Sequence, residues 1–141
     1  INLINRSGQI NDSCKKIIEL ANSNIFNNVA VATHHCSYME GEMKKVKFNE
    51  VLPNIQVFNI PKKIEKHFAL KANKNILVDD SLKKITGWVK AGGIGVLFDK
   101  DVDNLIYPND TPYFITNDLS DLVLINDYIN ELEKSIKIKV R

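Results

Sequence analysis

The sequence has little cysteine: only Cys14 and Cys36 occur in 141 residues. Two cysteines cannot supply the disulfide framework of a small secreted domain, and they fit a reducing compartment, so we expect a cytoplasmic protein. Long apolar runs are also missing, since none approaches the ~20 residues of a membrane span. No secretory signal segment is visible. These absences argue against membrane and secreted classes.

Charge of one sign is not in excess either. The formal net charge is +2, and the basic residues are dispersed along the chain. This pattern gives no clear surface for nucleic acid and no strongly basic face for a membrane. Apolar residues make up 44% and charged residues 26% of the chain, which is typical of a globular protein. We therefore expect one domain over residues 1–141.

Apolar segments of two periodicities alternate along the chain. After a hairpin-like pattern over 1–10, strands are predicted at 29–33, 55–60, 76–78, 94–98 and 113–115. Helices are predicted at 12–22, 40–51, 61–70, from Leu82 to the stop at Gly92-Gly93, and from Asp118 or Ser120 onward. Trp88 lies one residue off the apolar stripe of the fourth helix and is expected to flank the core. Alternating strands and helices predict an α/β fold, with a parallel sheet covered by helices on both faces.

Two adjacent carboxylates follow the buried strand Ile76–Val78. Asp79 and Asp80 stand at the carboxyl end of that strand, where open α/β sheets carry their ligands. A surface turn with a helix-capping acid would explain one of them, but not the pair. Adjacent acids at a strand end favour a bound hard cation such as Mg²⁺.

Other polar residues follow two further predicted strands. Thr33 ends the strand 29–33, and Lys62 and Lys63 follow Pro61. A hydroxyl, an ammonium and a carboxylate pair at neighbouring strand ends suit a metal-bound phosphoryl group. Which of the two lysines faces the site is left open. The run His34-His35-Cys36 does not favour zinc, because no second Cys/His pair lies at ligand spacing.

These segments resemble the haloacid dehalogenase (HAD) superfamily of phosphohydrolases. The segment 29–33 is similar to its second motif, Lys62 or Lys63 to its basic third motif, and 76–81 to its acidic fourth motif. The continuation Trp88–Gly95 resembles small nucleotidase-like members. The resemblance implies a Rossmann-like, three-layer sheet with little or no cap, and Mg²⁺-dependent phosphate transfer.

The resemblance also implies roles for the candidate residues. Asp79 and Asp80 would be metal ligands, and Asp80 would also serve as the second acid in catalysis. Thr33 would bind the transferring phosphoryl group, and Lys62 or Lys63 would stabilise its charge. The implied substrate is a small phosphate ester such as a nucleotide.

The first HAD motif, Asp-x-Asp-Gly-Thr or similar, does not occur in the sequence. In one interpretation, Asn5–Gln9 is a decayed version with Asn5 in the nucleophile position, and an amide cannot replace that carboxylate. In the other, which we prefer, the segment Leu3–Asn11 resembles the flap hairpin that follows the first motif. The nucleophile strand is then expected just upstream of Ile1, since isoleucine does not start translation.

The sequence is compatible with three functions. The preferred one is an Mg²⁺-dependent phosphomonoester hydrolase. The alternative is a catalytically inactive HAD-like binding module without the nucleophile aspartate, and the third is a structural α/β domain. A response-regulator receiver is rejected, because the 61 residues after Asp80 are too few for its remaining strands.

Overall fold

A computed structural model describes the backbone of residues 10–140 and the side chains of residues 14–135. The predicted hairpin at 1–10 lies outside these residues, except that Ile10 already begins a helix. The helices are α1 (Ile10–Asn22), α2 (Tyr38–Val51), α3 (Lys66–Ala69), α4 (Leu82–Lys90) and α5 (Leu122–Val140). The strands are β1 (Ala30–His35), β2 (Gln56–Pro61), β3 (Ile76–Asp79), β4 (Ile94–Phe98) and β5 (Phe114–Thr116), and a short 3₁₀ helix covers Leu119–Asp121.

The strands form two small parallel sheets. One sheet pairs β1 with β2, and the other has the order β3-β4-β5. Two strand–helix–strand units account for this arrangement, because α2 joins β1 to β2 and α4 joins β3 to β4. The α/β class and the parallel pairing are confirmed. Within the described residues, no helix combines the length and apolar character that crossing a membrane requires.

The core lies where both sheets meet the helices. Val31, Leu77, Ile85, Val96 and Ile125 are among its most deeply buried residues. Each comes from a different strand or helix, and apolar burial of this kind is the main stabilising contribution to the fold. Trp88 is part of the buried core, whereas the sequence placed it at the core's flank. Its indole Nε1 donates a hydrogen bond to the carbonyl of Asn75 at 2.9 Å, which satisfies its one polar group.

A groove of about 220 Å³ lies between the two sheets. It is lined by residues of β1, including Ala30 and Ala32, and by residues of β3, including Ile76 and Leu77. Each of these strands is paired on one side only in the described residues, β1 with β2 and β3 with β4. We call this space the β1–β3 groove. The described strands therefore form two sheets where the sequence predicted a single one.

The predicted helix at 61–70 is wrong over most of its length. Pro61 still pairs with His35 in the parallel ladder, and the amide of Lys62 donates to the carbonyl of His35 at 2.9 Å. The strand pairing thus continues to Pro61, a turn follows, and only Lys66–Ala69 is helical. Ile64 and Phe68, which suggested an apolar helix face, are 42% and 76% exposed. The spacing of Ile64 and Phe68 therefore does not mark a helix face that packs against the core.

Candidate functional site

The carboxyl ends of β1, β2 and β3 meet at one cavity of about 520 Å³. Three segments that follow these strands line it, and α2 contributes two further side chains. Its lining residues are His34, His35, Cys36, Glu40, Lys44, Lys62, Lys63, Ile64, Glu65, Lys66, Ser81, Lys83 and Lys84. We call it the lysine cavity. Parallel pairing brings the carboxyl ends of β1 and β2 to the same edge of one sheet, and the segment after β3, in the other sheet, lines the same cavity.

A buried ion pair lies at the base of the lysine cavity. The Nζ atom of Lys66 is 2.7 Å from Oδ2 of Asp79, and the two residues are 3% and 1% exposed. The other carboxylate oxygen of Asp79 accepts a hydrogen bond from the backbone amide of Ser81 at 3.0 Å. Both oxygens therefore have a partner, which a buried carboxylate requires. Lys66 is the link between this pair and the cavity, because it also lines the cavity wall.

The pKa values of both partners shift for identifiable reasons. Burial raises the pKa of Asp79, but the charge and hydrogen bond of Lys66, the Ser81 amide and the charge of Lys84 outweigh it. The pKa of Asp79 therefore lies below its ordinary value. Burial lowers the pKa of Lys66, and the nearby charge and hydrogen bond of Asp79 oppose that shift without cancelling it. The carboxylate is thus held ionised by the lysine that covers it.

Three polar contacts fix the cavity wall after β1. Nε2 of His34 lies 2.9 Å from the carbonyl of Ile64, so this nitrogen carries the proton in that contact. Nζ of Lys44 donates to the carbonyl of His34 at 2.7 Å and lies 3.1 Å from Glu40. These contacts connect the end of β1 to the turn after β2 and to α2. Burial lowers the pKa of His34, and the charges of Lys84 and Lys66 add to that shift.

Positive charge dominates the cavity wall. Six lysines line it against two glutamates, and each glutamate is already occupied. Glu40 pairs with Lys44, and Glu65 lies 3.1 Å from Nε2 of His67. The remaining lysines, other than Lys66, have no acidic side chain within ion-pair distance among the residues the structure describes. They are Lys62, Lys63, Lys83 and Lys84. Such a wall attracts anions.

The residues singled out in the sequence occupy different positions. Lys62 and Lys63 line the lysine cavity and are exposed, while Asp79 lies beneath it. Asp80 is exposed and lines a separate cavity of about 240 Å³ beside Asp99 and Asp101.

Thr33 does not line the lysine cavity. It is 2% exposed, and its hydroxyl has only a long 3.5 Å contact to the carbonyl of His34. The strand β1 continues two residues beyond it to His35, so Thr33 is not the strand end that the sequence suggested. The residues at the end of β1 that do line the cavity are His34, His35 and Cys36.

Lys66 is the residue that sequence reasoning missed. The sequence pattern favours Lys62 and Lys63, because they directly follow the predicted strand. The available signal was spacing: Lys66 precedes the core-packed Leu70 by four residues, and the amide of Leu70 donates to the carbonyl of Lys66 at 2.8 Å. Residues four apart share one face of a helical turn, so this face brings Lys66 inward.

The side chains near the lysine cavity can be compared with those that bind metal ions in proteins. Among the residues that the structure describes, no group of three or more His, Cys, Asp or Glu side chains is arranged to hold a metal. Mg²⁺ differs, since proteins hold it through one or two carboxylates and leave other positions to water and phosphate oxygens. Asp80 is an exposed carboxylate, and Asp79, adjacent in sequence, has carboxylate lone pairs beyond those used in its two hydrogen bonds.

Comparison of the chain with protein-family models, with curated proteins and with solved structures gives no match.

Proposed function

We propose that this chain forms the core of an HAD-type, Mg²⁺-dependent phosphomonoester hydrolase. The observation that carries the proposal is the buried Lys66–Asp79 pair at the base of the lysine cavity. Burying two charges is costly, and a stable core does not require it. Charges held in fixed positions below an anion-attracting cavity suit the stabilisation of a phosphoryl group.

The cavity residues have distinct roles in this proposal. Lys66 fixes the position and charge of Asp79, and Lys62 and Lys63 neutralise a bound phosphate. Asp79 beneath the lysine cavity and Asp80, which lines the separate acidic cavity, are the residues that would hold Mg²⁺, and the ion would supply charge stabilisation to the phosphoryl oxygens. The nucleophile of an HAD hydrolase is an aspartate.

The β1–β3 groove supports the finer fold assignment. A further parallel strand in this groove would pair with β1 on one side and with β3 on the other. The two small sheets would then become the single three-layer, Rossmann-like sheet of the proposed family. Such a strand would end at the same edge as the other strands, beside the lysine cavity, where a nucleophile is required.

The segment between Thr33 and Lys62 supports a nearly capless site. Apart from turns, it contains the end of β1, then α2 and β2, and β2 is part of the sheet. An open site of this size accepts a small phosphorylated compound such as a nucleotide. The two cysteines are free, one buried and one exposed, which supports a reducing compartment such as the cytoplasm.

The test is magnesium-dependent hydrolysis of p-nitrophenyl phosphate by the full-length protein. Asp80→Asn should lower kcat/KM at least about tenfold, because even the loss of a group that hydrogen-bonds to a metal ligand costs about ten- to a hundredfold. Asp80 is exposed, so this variant should fold; Asp110→Asn is the matched control on an exposed loop and should leave activity unchanged. Absence of magnesium-dependent turnover, or equal activity in both variants, would contradict the proposal.

A catalytically inactive binding module is the second candidate. It is favoured by the acidic residues of the lysine cavity, because Glu40 pairs with Lys44 and Glu65 contacts the imidazole of His67. Neither is therefore available as a nucleophile. This candidate predicts that inorganic phosphate raises the melting temperature while no substrate is turned over. A purely structural domain predicts no thermal shift with phosphate or with Mg²⁺.

A further inference from the structure

The lysine cavity contains more positive charge than a single phosphate group can neutralise. Lys66 is compensated by Asp79 and Lys44 by Glu40. Four lysines remain without an acidic partner in the described part of the chain: Lys62, Lys63, Lys83 and Lys84. One phosphate monoester contributes a charge of about −1.5 to −2 near neutral pH, so two such groups match four lysines.

The four lysines come from two separate segments. Lys62 and Lys63 lie in the turn after β2, and Lys83 and Lys84 lie in the first turn of α4. The cavity between these segments, at about 520 Å³, falls within the range of small-molecule sites. Because the two lysine pairs lie at different places in one cavity, they suit a ligand with two anionic groups, one for each pair. A single anionic group that contacts both pairs fits this arrangement less well.

The position of Lys83 and Lys84 also points to an anion. The first turn of a helix carries partial positive charge and favours acidic side chains. The first turn of α4 contains no acidic residue, and both lysines occupy this unfavourable place. A bound phosphate would reduce two repulsions: the one between the two lysines and the one between the lysines and the helix dipole. Lys84 is half-buried, so its charge is less screened than that of a fully exposed lysine.

We propose that the lysine cavity binds a small metabolite that carries two phosphate groups. The inference rests on the proposed function in one respect: that one of the two phosphates is the group that reacts. This reacting phosphate lies nearest Lys66. Lys62 and Lys63 bind this reacting phosphate, and the second phosphate binds Lys83 and Lys84 and determines specificity. Binding itself does not require turnover, so the two proposals can be tested separately.

The test is calorimetric titration of the full-length protein with two matched probes in the presence of a chelator. The probes are adenosine 5′-monophosphate and adenosine 3′,5′-bisphosphate, which differ by one phosphate group. The bisphosphate should bind at least about tenfold more tightly at low salt, and the preference should shrink at high salt because ionic contacts are screened. Equal affinity for the two probes would overturn the inference.

Double variants show whether the preference comes from this cavity. Lys62→Gln/Lys63→Gln and Lys83→Gln/Lys84→Gln should each reduce the bisphosphate preference at least severalfold. The control is Lys45→Gln/Lys47→Gln, which removes two exposed lysines of α2 that do not line the cavity. An equal loss in the control would show non-specific attraction and would overturn the assignment. All three replace mainly surface lysines, and an unchanged melting temperature verifies that each variant folds.

The outcomes separate this inference from the proposed function. Tight bisphosphate binding without magnesium-dependent hydrolysis would contradict the enzyme and keep the ligand class. Hydrolysis of p-nitrophenyl phosphate with no preference between the two probes would support the enzyme and overturn the ligand class.

Discussion

The ammonium of Lys66 and the carboxylate of Asp79 form a buried ion pair between residues thirteen positions apart in the chain, at an Nζ–Oδ2 distance of 2.7 Å. The pair joins the short helix α3 to the carboxyl end of β3. Burying either charge alone costs free energy of desolvation, and the attraction between the two charges offsets that cost. The energetic consequence is asymmetric, because removing one partner leaves an uncompensated charge in the core.

Removal of the lysine should therefore destabilise the protein strongly. We expect Lys66→Met to lower the free energy of unfolding by about 3–5 kcal/mol, the range found when one partner of a buried pair is deleted. Urea unfolding measures the change. The control is Lys62→Met, an exposed lysine of the same cavity, which should change stability by less than about 0.5 kcal/mol.

The double variant Lys66→Met/Asp79→Asn tests the cause. It removes both charges, so its loss should be clearly smaller than the sum of the two single losses. Additive losses would contradict a direct interaction between these side chains.

The pH dependence of stability should change sign when Lys66 is removed. In the parent protein the pKa of Asp79 lies below its unfolded value of about 3.9. Its stabilising contribution is therefore complete above about pH 4 and is lost as the pH falls through the folded pKa. In Lys66→Met, burial is the dominant influence and should raise the pKa of Asp79. Stability then decreases as the pH rises from 4 to 7. Urea midpoints from about pH 2 to 7 measure both slopes, and parallel slopes would contradict the prediction.

The local pattern around β3 and α4 was sufficient to predict both elements. An uninterrupted Ile-Leu-Val run, a Ser81 cap and a double glycine each have a direct structural cause. The carboxyl-end position of Asp79 follows from the same pattern. These features depend on residues close together in the chain, and sequence periodicity reports such features well.

The partner of Asp79 could not be predicted in the same way. Lys62, Lys63 and Lys66 are all lysines within five positions, and only the tertiary course of the chain decides which one is buried. The continuation of β2 to Pro61 shifts the helix start to Lys66. That shift depends on pairing with β1, at residues about 25 positions earlier. Long-range pairing of this kind overrides local helix signals.

Close packing of β4 against α4 should make Gly95 intolerant of a side chain. A Cβ at this position would lie 2.7 Å from Cγ2 of Ile85 and 2.8 Å from Cγ2 of Val89. Both neighbours belong to the core-facing side of α4, so they cannot move away freely. We expect Gly95→Ala to destabilise the protein by about 1–3 kcal/mol, as overpacked cores do. Thermal unfolding monitored by Trp88 fluorescence measures the loss.

Gly87→Ala is the matched control for Gly95→Ala. Gly87 lies within α4, and its nearest neighbours are His67 ring atoms at 3.3 Å. Alanine favours a helix over glycine by up to about 1 kcal/mol, which offsets a small adjustment of that ring. The control should therefore stay within about 1 kcal/mol of the parent. A loss at Gly87 as large as that at Gly95 would contradict the packing argument.

Asp118 combines an ion pair with a helix cap, and substitutions should separate the two effects. Its Oδ1 accepts hydrogen bonds from Nζ of Lys16 and from the amide of Ser120, the latter at 2.9 Å. The hydrogen bond from Lys16 is the main cause that lowers the pKa of Asp118. Asp118→Asn removes the charge and keeps the cap, so it should cost at most about 1 kcal/mol, because both partners are more than one third exposed. Asp118→Ala also removes the cap and should cost a further ~0.5–2 kcal/mol.

Salt distinguishes these two contributions at Asp118. Screening weakens an exposed ion pair, so the cost of Asp118→Asn should shrink in 1 M salt, where the Debye length is about 3 Å. The additional cost of Asp118→Ala should persist, because a hydrogen bond from a backbone amide to the cap is short-ranged and remains in high salt. Urea unfolding of both variants at low and high salt measures the difference. If the extra loss in Asp118→Ala also disappeared with salt, the cap would contribute little, and the ion pair with Lys16 would account for the whole effect.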